Sequence, residues 1–184
     1  MLGCHDGIPL LDLKGLLPEE EIQSLIDRIV SRGGMVKNLH GQKNLYYQVN
    51  ATYYSALGES DEKMLLARAI QMFMPGKPQI WYLDLFAGKN DHEAVQRAGE
   101  SGHKEINRTN LSTDQITEGL KKDVVQKQLA LIRMRNTHKA FSEGAEVAIS
   151  GGERSLEIRW EYNSAFATLY VNFESGTYTI VESR

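Results

Sequence analysis

The N-terminal part of the chain has the hydrophobic pattern of two helices separated by a long irregular segment. Pro18 stands at the start of the first helix, in which apolar residues recur with the helical period until the Gly33-Gly34 pair. Ser60 caps the second helix, and its segment Met64–Met74 is apolar on most sides, which predicts that other elements enclose it. Residues 34–57 fit neither the helical nor the strand period, so a structured, functional loop is predicted there.

The middle of the chain has the pattern of an α/β protein. Gln79–Phe86 reads as apolar on both faces, which is typical of a buried strand in a parallel sheet. A helix that leads into such a strand is half of a β-α-β unit, as in a layered or barrel fold. Residues 88–91 would then lie at the carboxyl end of that strand, where α/β enzymes place their chemistry. Two further helices are predicted, one capped by Ser112 and one over residues 123–136.

The C-terminal part changes to short runs with strand alternation, separated by turn residues. The runs are 145–150, 155–162, 165–173 and 177–182. This pattern predicts a small antiparallel β domain over residues 142–184, after an α/β portion over residues 1–141. The predicted fold class is therefore α/β, followed by β.

Composition and charge exclude several classes of function. The net charge of -3 and the scattered basic residues argue against nucleic-acid binding. The lone Cys4 excludes an internal disulfide, and no histidine has ligand spacing to another, so no metal is expected. No Gly-rich phosphate motif or dinucleotide fingerprint is present, and no bound cofactor is expected. No apolar run has a membrane-spanning length, so we expect no membrane partner and a cytoplasmic location.

Two groups at possible strand ends are candidates for chemistry. His5-Asp6 can offer a ring nitrogen and a carboxylate to a ligand, with Gly7 turning the chain away; the alternative is a locally bonded surface pair. Asp84 lies between apolar residues, and a buried carboxylate must be paired or hydrogen-bonded in either a structural or a functional role.

Two loop features are further candidates. Four tyrosines lie close together in residues 46–54, where they could stack on a sugar or pin the loop to its domain. Arg108, between Asn107 and Asn110, could hold ligand hydroxyls or a carboxylate, or could form only a surface ion pair.

Taken together, these segments resemble sucrose phosphorylase and its relatives in the α-amylase superfamily, glycoside hydrolase family 13. The matching motifs, in the family's order, are Cys4–Ile8, Tyr47–Leu57, Pro75–Tyr82, Ala87–Asp91 and Ile106–Arg108. The resemblance implies the C-terminal part of a TIM barrel followed by a β domain. It places His5-Asp6 at the end of the seventh barrel strand and residues 79–86 on the eighth.

The resemblance also implies a reaction and roles for residues. The family transfers a glucosyl group through a covalent intermediate to inorganic phosphate, which is the co-substrate, so the expected partners are a small sugar and phosphate. Asp6 matches the carboxylate that stabilises the transition state, and His5 matches a hydrogen-bonding partner of the glucosyl unit. Arg108 matches the arginine that holds glucose, and Tyr47 and Gln48 match a mobile loop that binds acceptor and phosphate.

Two departures from the family's pattern leave the acceptor open. Leu45 stands where sucrose phosphorylases carry an aspartate that contacts fructose, and Thr109–Leu111 stand where many members have aromatic residues. Glucosylglycerol, glucosylglycerate or phosphorylated sucrose are therefore alternatives to sucrose. The sequence is also compatible with a hydrolase or transglucosidase of the same superfamily, and with a non-catalytic carbohydrate-binding module.

The start of the chain at the His5-Asp6 motif suggests a fragment. The family's nucleophile and general acid precede this motif, so we expect the 184-residue chain to be inactive by itself. A piece holding two barrel strands would also expose a parallel edge and apolar helix faces. We therefore expect self-association through the open barrel edge, or partial unfolding.

Overall fold

A computed structural model describes residues 2–38 and 46–183 of the chain. The helices, in chain order, are α1 Glu19–Ser31, α2 Tyr53–Ala56, α3 Asp61–Phe73, α4 Tyr82–Leu85, α5 His92–Ala98, α6 Thr113–Gly119 and α7 Asp123–Thr137. The strands are β1 Ile8–Pro9, β2 Met35–Asn38, β3 Tyr46–Asn50, β4 Glu146–Gly152, β5 Ser155–Tyr162, β6 Ala165–Asn172 and β7 Thr177–Glu182. Short 3-10 segments cover Leu11–Leu13, Gly99–Asn107 and Lys139–Phe141.

These elements form two compact units, each with its own sheet. The first unit comprises Met1–Ser60 and Ile80–Lys121, and the second comprises Asp61–Gln79 and Lys122–Arg184. The predicted division at residues 141 and 142 follows the change in sequence pattern and stays a prediction. No described helix combines the length and the apolar character needed to cross a membrane.

The sheet of the first unit has the order β1-β3-β2, and both pairings are antiparallel. Residues 34–57 were expected to be irregular, and this was wrong for the described part, which contains β2, β3 and α2. The physical reason is visible in β3, where the neighbouring residues Val49 and Asn50 are both buried. A strand that is covered on both faces does not alternate between apolar and polar residues.

Helix α1 covers this sheet with only part of its apolar face. Ile26 and Ile29 are buried, whereas Leu25 and Val30 are each 40% exposed. The core cluster of the unit consists of Leu10, Ile26, Ile29, Val49, Ala51 and Ala56. The predicted amphipathic helix is thus confirmed, with two apolar residues of its stripe left on the surface.

The prediction of a strand over residues 79–86 is wrong, because Tyr82–Leu85 forms the short helix α4. Within the run, only Leu83 and Asp84 are buried. The Trp81 indole donates to the Asn107 carbonyl at 3.2 Å, and the Tyr82 hydroxyl donates to the Thr109 carbonyl. Both aromatic side chains are therefore half-buried with their polar ends bonded, and a short apolar run does not distinguish a strand from a helical turn.

The second unit packs α3, α7 and a four-stranded antiparallel sheet of order β4-β5-β6-β7. The four predicted strands and the antiparallel pairing are confirmed. The enclosed character of α3 is also confirmed: its Arg68 is fully buried and donates to the buried Gln128 side chain of α7 at 2.9 Å. The residues singled out for chemistry lie in the first unit.

Candidate functional site

The His5-Asp6 pair lies at the tip of a tight turn in the first unit. The Cys4 and Gly7 backbones exchange hydrogen bonds of 3.0 and 2.9 Å, which close the turn. Gly7 has a φ of 110°, and a Cβ at this position would lie 2.3 Å from the Val49 carbonyl oxygen of β3. Only glycine fits such a backbone conformation at such a close approach. The turn is therefore seated directly against β3.

Two buried asparagines hold the backbone of this turn. The Asn50 amide donates to the Asp6 carbonyl at 2.6 Å, and the Asn107 amide donates to the Cys4 carbonyl. Both asparagines are 1% exposed. Because a buried N–H donor without an acceptor is costly, these two donated hydrogen bonds favour one orientation of the turn.

The Asp6 carboxylate is the electrostatic centre of the site. Its Oδ1 accepts hydrogen bonds from Lys104 Nζ at 2.9 Å and from Arg108 Nη2 at 2.7 Å, and Oδ2 lies 3.5 Å from His5 Nε2. Burial favours the neutral carboxyl, but the hydrogen bonds from Lys104 and Arg108 outweigh it and hold the pKa of Asp6 below its usual value. Asp6 is therefore a carboxylate at neutral pH.

Arg108 links the turn to the segment that carries it. Its Nε donates to the His5 carbonyl at 3.2 Å, and its Nη1 lies 3.4 Å from Glu105. The 3-10 segment Gly99–Asn107 ends immediately before Arg108 and also contains Lys104, so one stretch of chain delivers both cations to Asp6. The predicted set of His5, Asp6 and Arg108 thus lies together in the structure.

The other predicted residues lie in β3 and α4. Gln48 lies in β3, opposite Pro9, and is half-buried. Tyr47 belongs to the same strand, but its side chain lies outside the described part of the structure, as does residue Leu45. Asp84 is 1% exposed, and its Oδ1 accepts a hydrogen bond from the Tyr53 backbone at 3.1 Å.

Lys104, Asn50 and Asn107 are members of the cluster that sequence reasoning did not assign to it. Lys104 and Asp6 are 98 positions apart, so no local pattern connects them. Lys104 lies in the polar stretch before Arg108, and in the sequence this stretch resembles an ordinary loop.

A cavity of about 600 Å³ lies beside Arg108, with Asp91, Arg97 and Glu105 among its lining residues. Asp91 begins α5: its Oδ1 accepts from the Ala94 backbone at 2.8 Å, and its Oδ2 accepts from the Thr109 hydroxyl at 3.0 Å. The Ala94 N–H is the main cause of its lowered pKa. The pocket is therefore lined by side chains of both charge signs, with Arg97 and Arg108 opposite in sign to Asp91 and Glu105.

The chain is similar to known phosphorylases over nearly its whole length. It is 53% identical over 189 residues to a sucrose 6(F)-phosphate phosphorylase of Ilumatobacter coccineus, which covers 98% of the chain and 36% of that protein. It is 38% identical over 199 residues to a sucrose phosphorylase of Agrobacterium vitis, which covers 100% of the chain and 39% of that protein. The chain therefore spans less than half the length of these relatives. No protein-family model matches it.

A solved structure gives the same result. The crystal structure of sucrose 6F-phosphate phosphorylase from Thermoanaerobacter thermosaccharolyticum matches with a TM-score of 0.92 and 38% identity, covering 100% of this chain and 38% of that one. This likeness confirms the predicted fold class, the C-terminal part of a barrel followed by a small antiparallel β domain. The correction at residues 79–86 concerns one element within that fold.

Proposed function

This chain is a homologue of the C-terminal part of the sucrose phosphorylases of glycoside hydrolase family 13, and on that premise we propose that it supplies one wall of their glucose pocket. The reaction proposed for the whole enzyme is retaining transfer of a glucosyl group from an α-glucoside to inorganic phosphate. The 53% identity to a protein of that name favours sucrose 6F-phosphate as the donor, with sucrose, glucosylglycerol and glucosylglycerate as alternatives.

The observation that carries this proposal is the ionised Asp6 carboxylate on its braced turn. Retaining glycosyl transfer passes through an oxocarbenium-like transition state, in which positive charge develops on the sugar. A carboxylate that is already oriented stabilises such charge without reorganising during the reaction. We assign this role to Asp6, in agreement with the motif match, and hydrogen bonding to the sugar to His5, whose side chain is 57% exposed.

Arg108 is proposed to hold the glucose through its guanidinium, and Tyr47 and Gln48 to contact acceptor and phosphate. The support for Arg108 is its position, since it contacts Asp6 and lines the adjacent cavity. No cofactor or metal is proposed; the partners are a small sugar and phosphate. The nucleophile and the general acid are assigned to the part of the relatives that this chain does not span, so the chain alone is proposed to be inactive.

A chimera tests this proposal. In it, the present chain replaces the homologous segment of the Ilumatobacter coccineus relative, and release of glucose 1-phosphate is measured with sucrose 6F-phosphate and phosphate. We expect phosphate-dependent turnover by the chimera and none by the chain alone. Asp6→Asn in the chimera should lower kcat by roughly 10²–10³, as for loss of one transition-state contact.

The matched control is Asp114→Asn, because Asp114 is an exposed aspartate of α6. An Asp6→Asn chimera with unchanged kcat/KM would overturn the role of Asp6. Equal glucose release with and without phosphate would favour the hydrolase alternative. Turnover by the 184-residue chain would contradict the assignment of the nucleophile and the general acid to residues outside it.

A further inference from the structure

The two oxygens of the Asp6 carboxylate have different surroundings. Both cations bind Oδ1, Lys104 at 2.9 Å and Arg108 at 2.7 Å. Among the described residues, the basic side chain nearest Oδ2 is His5, whose Nε2 lies at 3.5 Å. Oδ1 is therefore the more strongly held of the two oxygens.

The two cations on Oδ1 differ in their other commitments. Arg108 also contacts Glu105 and the His5 carbonyl, so its charge is shared among several acceptors. Asp6 is the one carboxylate within 4.0 Å of the Lys104 ammonium in the part of the chain that the structure describes. If Arg108 turns toward glucose, as the proposed function requires, it cannot keep all its present contacts, and Lys104 is the remaining partner of Oδ1.

We propose that Lys104 is a positioning residue for Asp6: it holds Oδ1 while Arg108 engages the sugar, so that Oδ2 faces the substrate. This inference rests on the proposed function and adds to it a residue that acts only through Asp6. The terminal torsion of an aspartate has a broad, roughly two-fold energy profile. Without Lys104, the carboxylate would rotate more freely about this torsion. It would then be less well oriented for the transition state before the reaction begins.

The first test measures the titration of Asp6 in the chimera by carbon-detected NMR of the side-chain carboxyl. Among residues 2–38 and 46–183, the charged and titratable groups that face Asp6 are His5, Lys104 and Arg108, with Glu105 behind the arginine. Lys104→Met should raise the Asp6 pKa because it removes a hydrogen-bonded cation, and Lys104→Arg should leave it low. The control Lys121→Met removes an exposed ion pair with Glu118 on α6 and should leave the Asp6 titration unchanged.

The second test measures the pH profile of kcat/KM in the chimera. Because the ionised carboxylate is the active form, a raised Asp6 pKa moves the acid limb of the profile to higher pH. We expect Lys104→Met to show this shift and to lose about two- to fivefold in kcat/KM at the optimum, mainly through kcat, as for one partly exposed ion pair. Lys104→Arg should restore both.

The outcomes separate this inference from the function on which it rests. An Asp6 titration that is the same in the wild type and in Lys104→Met overturns the positioning role, as does an acid limb that does not move. A chimera without phosphorolysis contradicts the proposed function, while the NMR titration still decides whether Lys104 controls Asp6. If Lys104→Met does not fold, Lys104→Gln, which keeps a donor but removes the charge, replaces it in both tests.

Discussion

Replacing Gly7 by alanine should destabilise the turn that carries Asp6, and it should do so more than the same change at Gly15. The added Cβ would lie 2.3 Å from the Val49 carbonyl oxygen and 2.9 Å from the Asn50 Cα. Both atoms belong to the backbone of β3, so the contact cannot be relieved by turning a side chain. β1 and β3 would have to separate at the register of Ile8 and Val49.

The magnitude has two parts. The φ of 110° is unfavourable for any residue with a Cβ, which costs about 1–2 kcal/mol. Forcing an extra carbon into a packed site adds about 1–3 kcal/mol. Gly7→Ala should therefore lower the free energy of unfolding of the first unit by about 2–5 kcal/mol, a large fraction of the stability of an ordinary domain.

Gly15 provides the matched control within the same unit. Its φ is 85°, but a Cβ there would meet no atom within 4 Å. Gly15→Ala should therefore lose only the backbone part, about 1–2 kcal/mol. The difference between the two variants isolates the contact with β3.

The chain allows each unit to be followed separately, because it has two tryptophans. Trp81 lies in the first unit and Trp160 in the second. Urea unfolding is measured by the fluorescence of Trp81 in a Trp160→Phe background, and by that of Trp160 in a Trp81→Phe background. Equal destabilisation of the first unit by Gly7→Ala and Gly15→Ala would refute the argument that β3 requires glycine at this position.

Three further predictions concern other parts of the chain. Asp91→Ala removes the cap of α5 and should cost about 0.5–2 kcal/mol at pH 7. Folding lowers the pKa of Asp91, so its carboxylate stabilises the fold at pH values above the ordinary aspartate pKa. This stabilisation is lost as the pH falls through the pKa of the folded state. Urea unfolding near pH 3 should thus show a smaller difference from the wild type; a constant difference would contradict this. The Arg135 guanidinium lies 4.2 Å from the centre of the Trp160 ring. Arg135→Met should lower the free energy of unfolding by about 1–2 kcal/mol, and Arg135→Lys should restore little of it. Thermal unfolding followed by Trp160 fluorescence measures both. Equal stability of the Arg and Met forms would exclude this stacking as a stabilising contact. The isolated chain should self-associate through apolar surface such as Leu25 and Val30, each 40% exposed, and a monodisperse monomer in analytical ultracentrifugation would contradict that.

The fold was predictable wherever one face of an element is buried and the other is exposed. Local sequence patterns predicted three features: helix α1 by its helical period, the capping box at Ser112 by its spacing, and the strands β4–β7 by their alternation. The prediction failed at β3, which is covered on both faces, and at residues 79–86, where aromatic residues are half-buried with bonded polar ends. In both places, burial depends on distant parts of the chain, so periodicity carries no information about it.

The sequence alone determined the order of elements in the C-terminal half, the family resemblance and the identity of Asp6, His5 and Arg108 as candidates. It did so because turn residues, alternation and short motifs are local properties. Only the tertiary structure decided that Lys104 and Arg108 share one oxygen of Asp6, and that Asn50 and Asn107 hold the turn beneath it. These contacts join residues that are 44 to 103 positions apart, and such pairs meet only when the chain has folded.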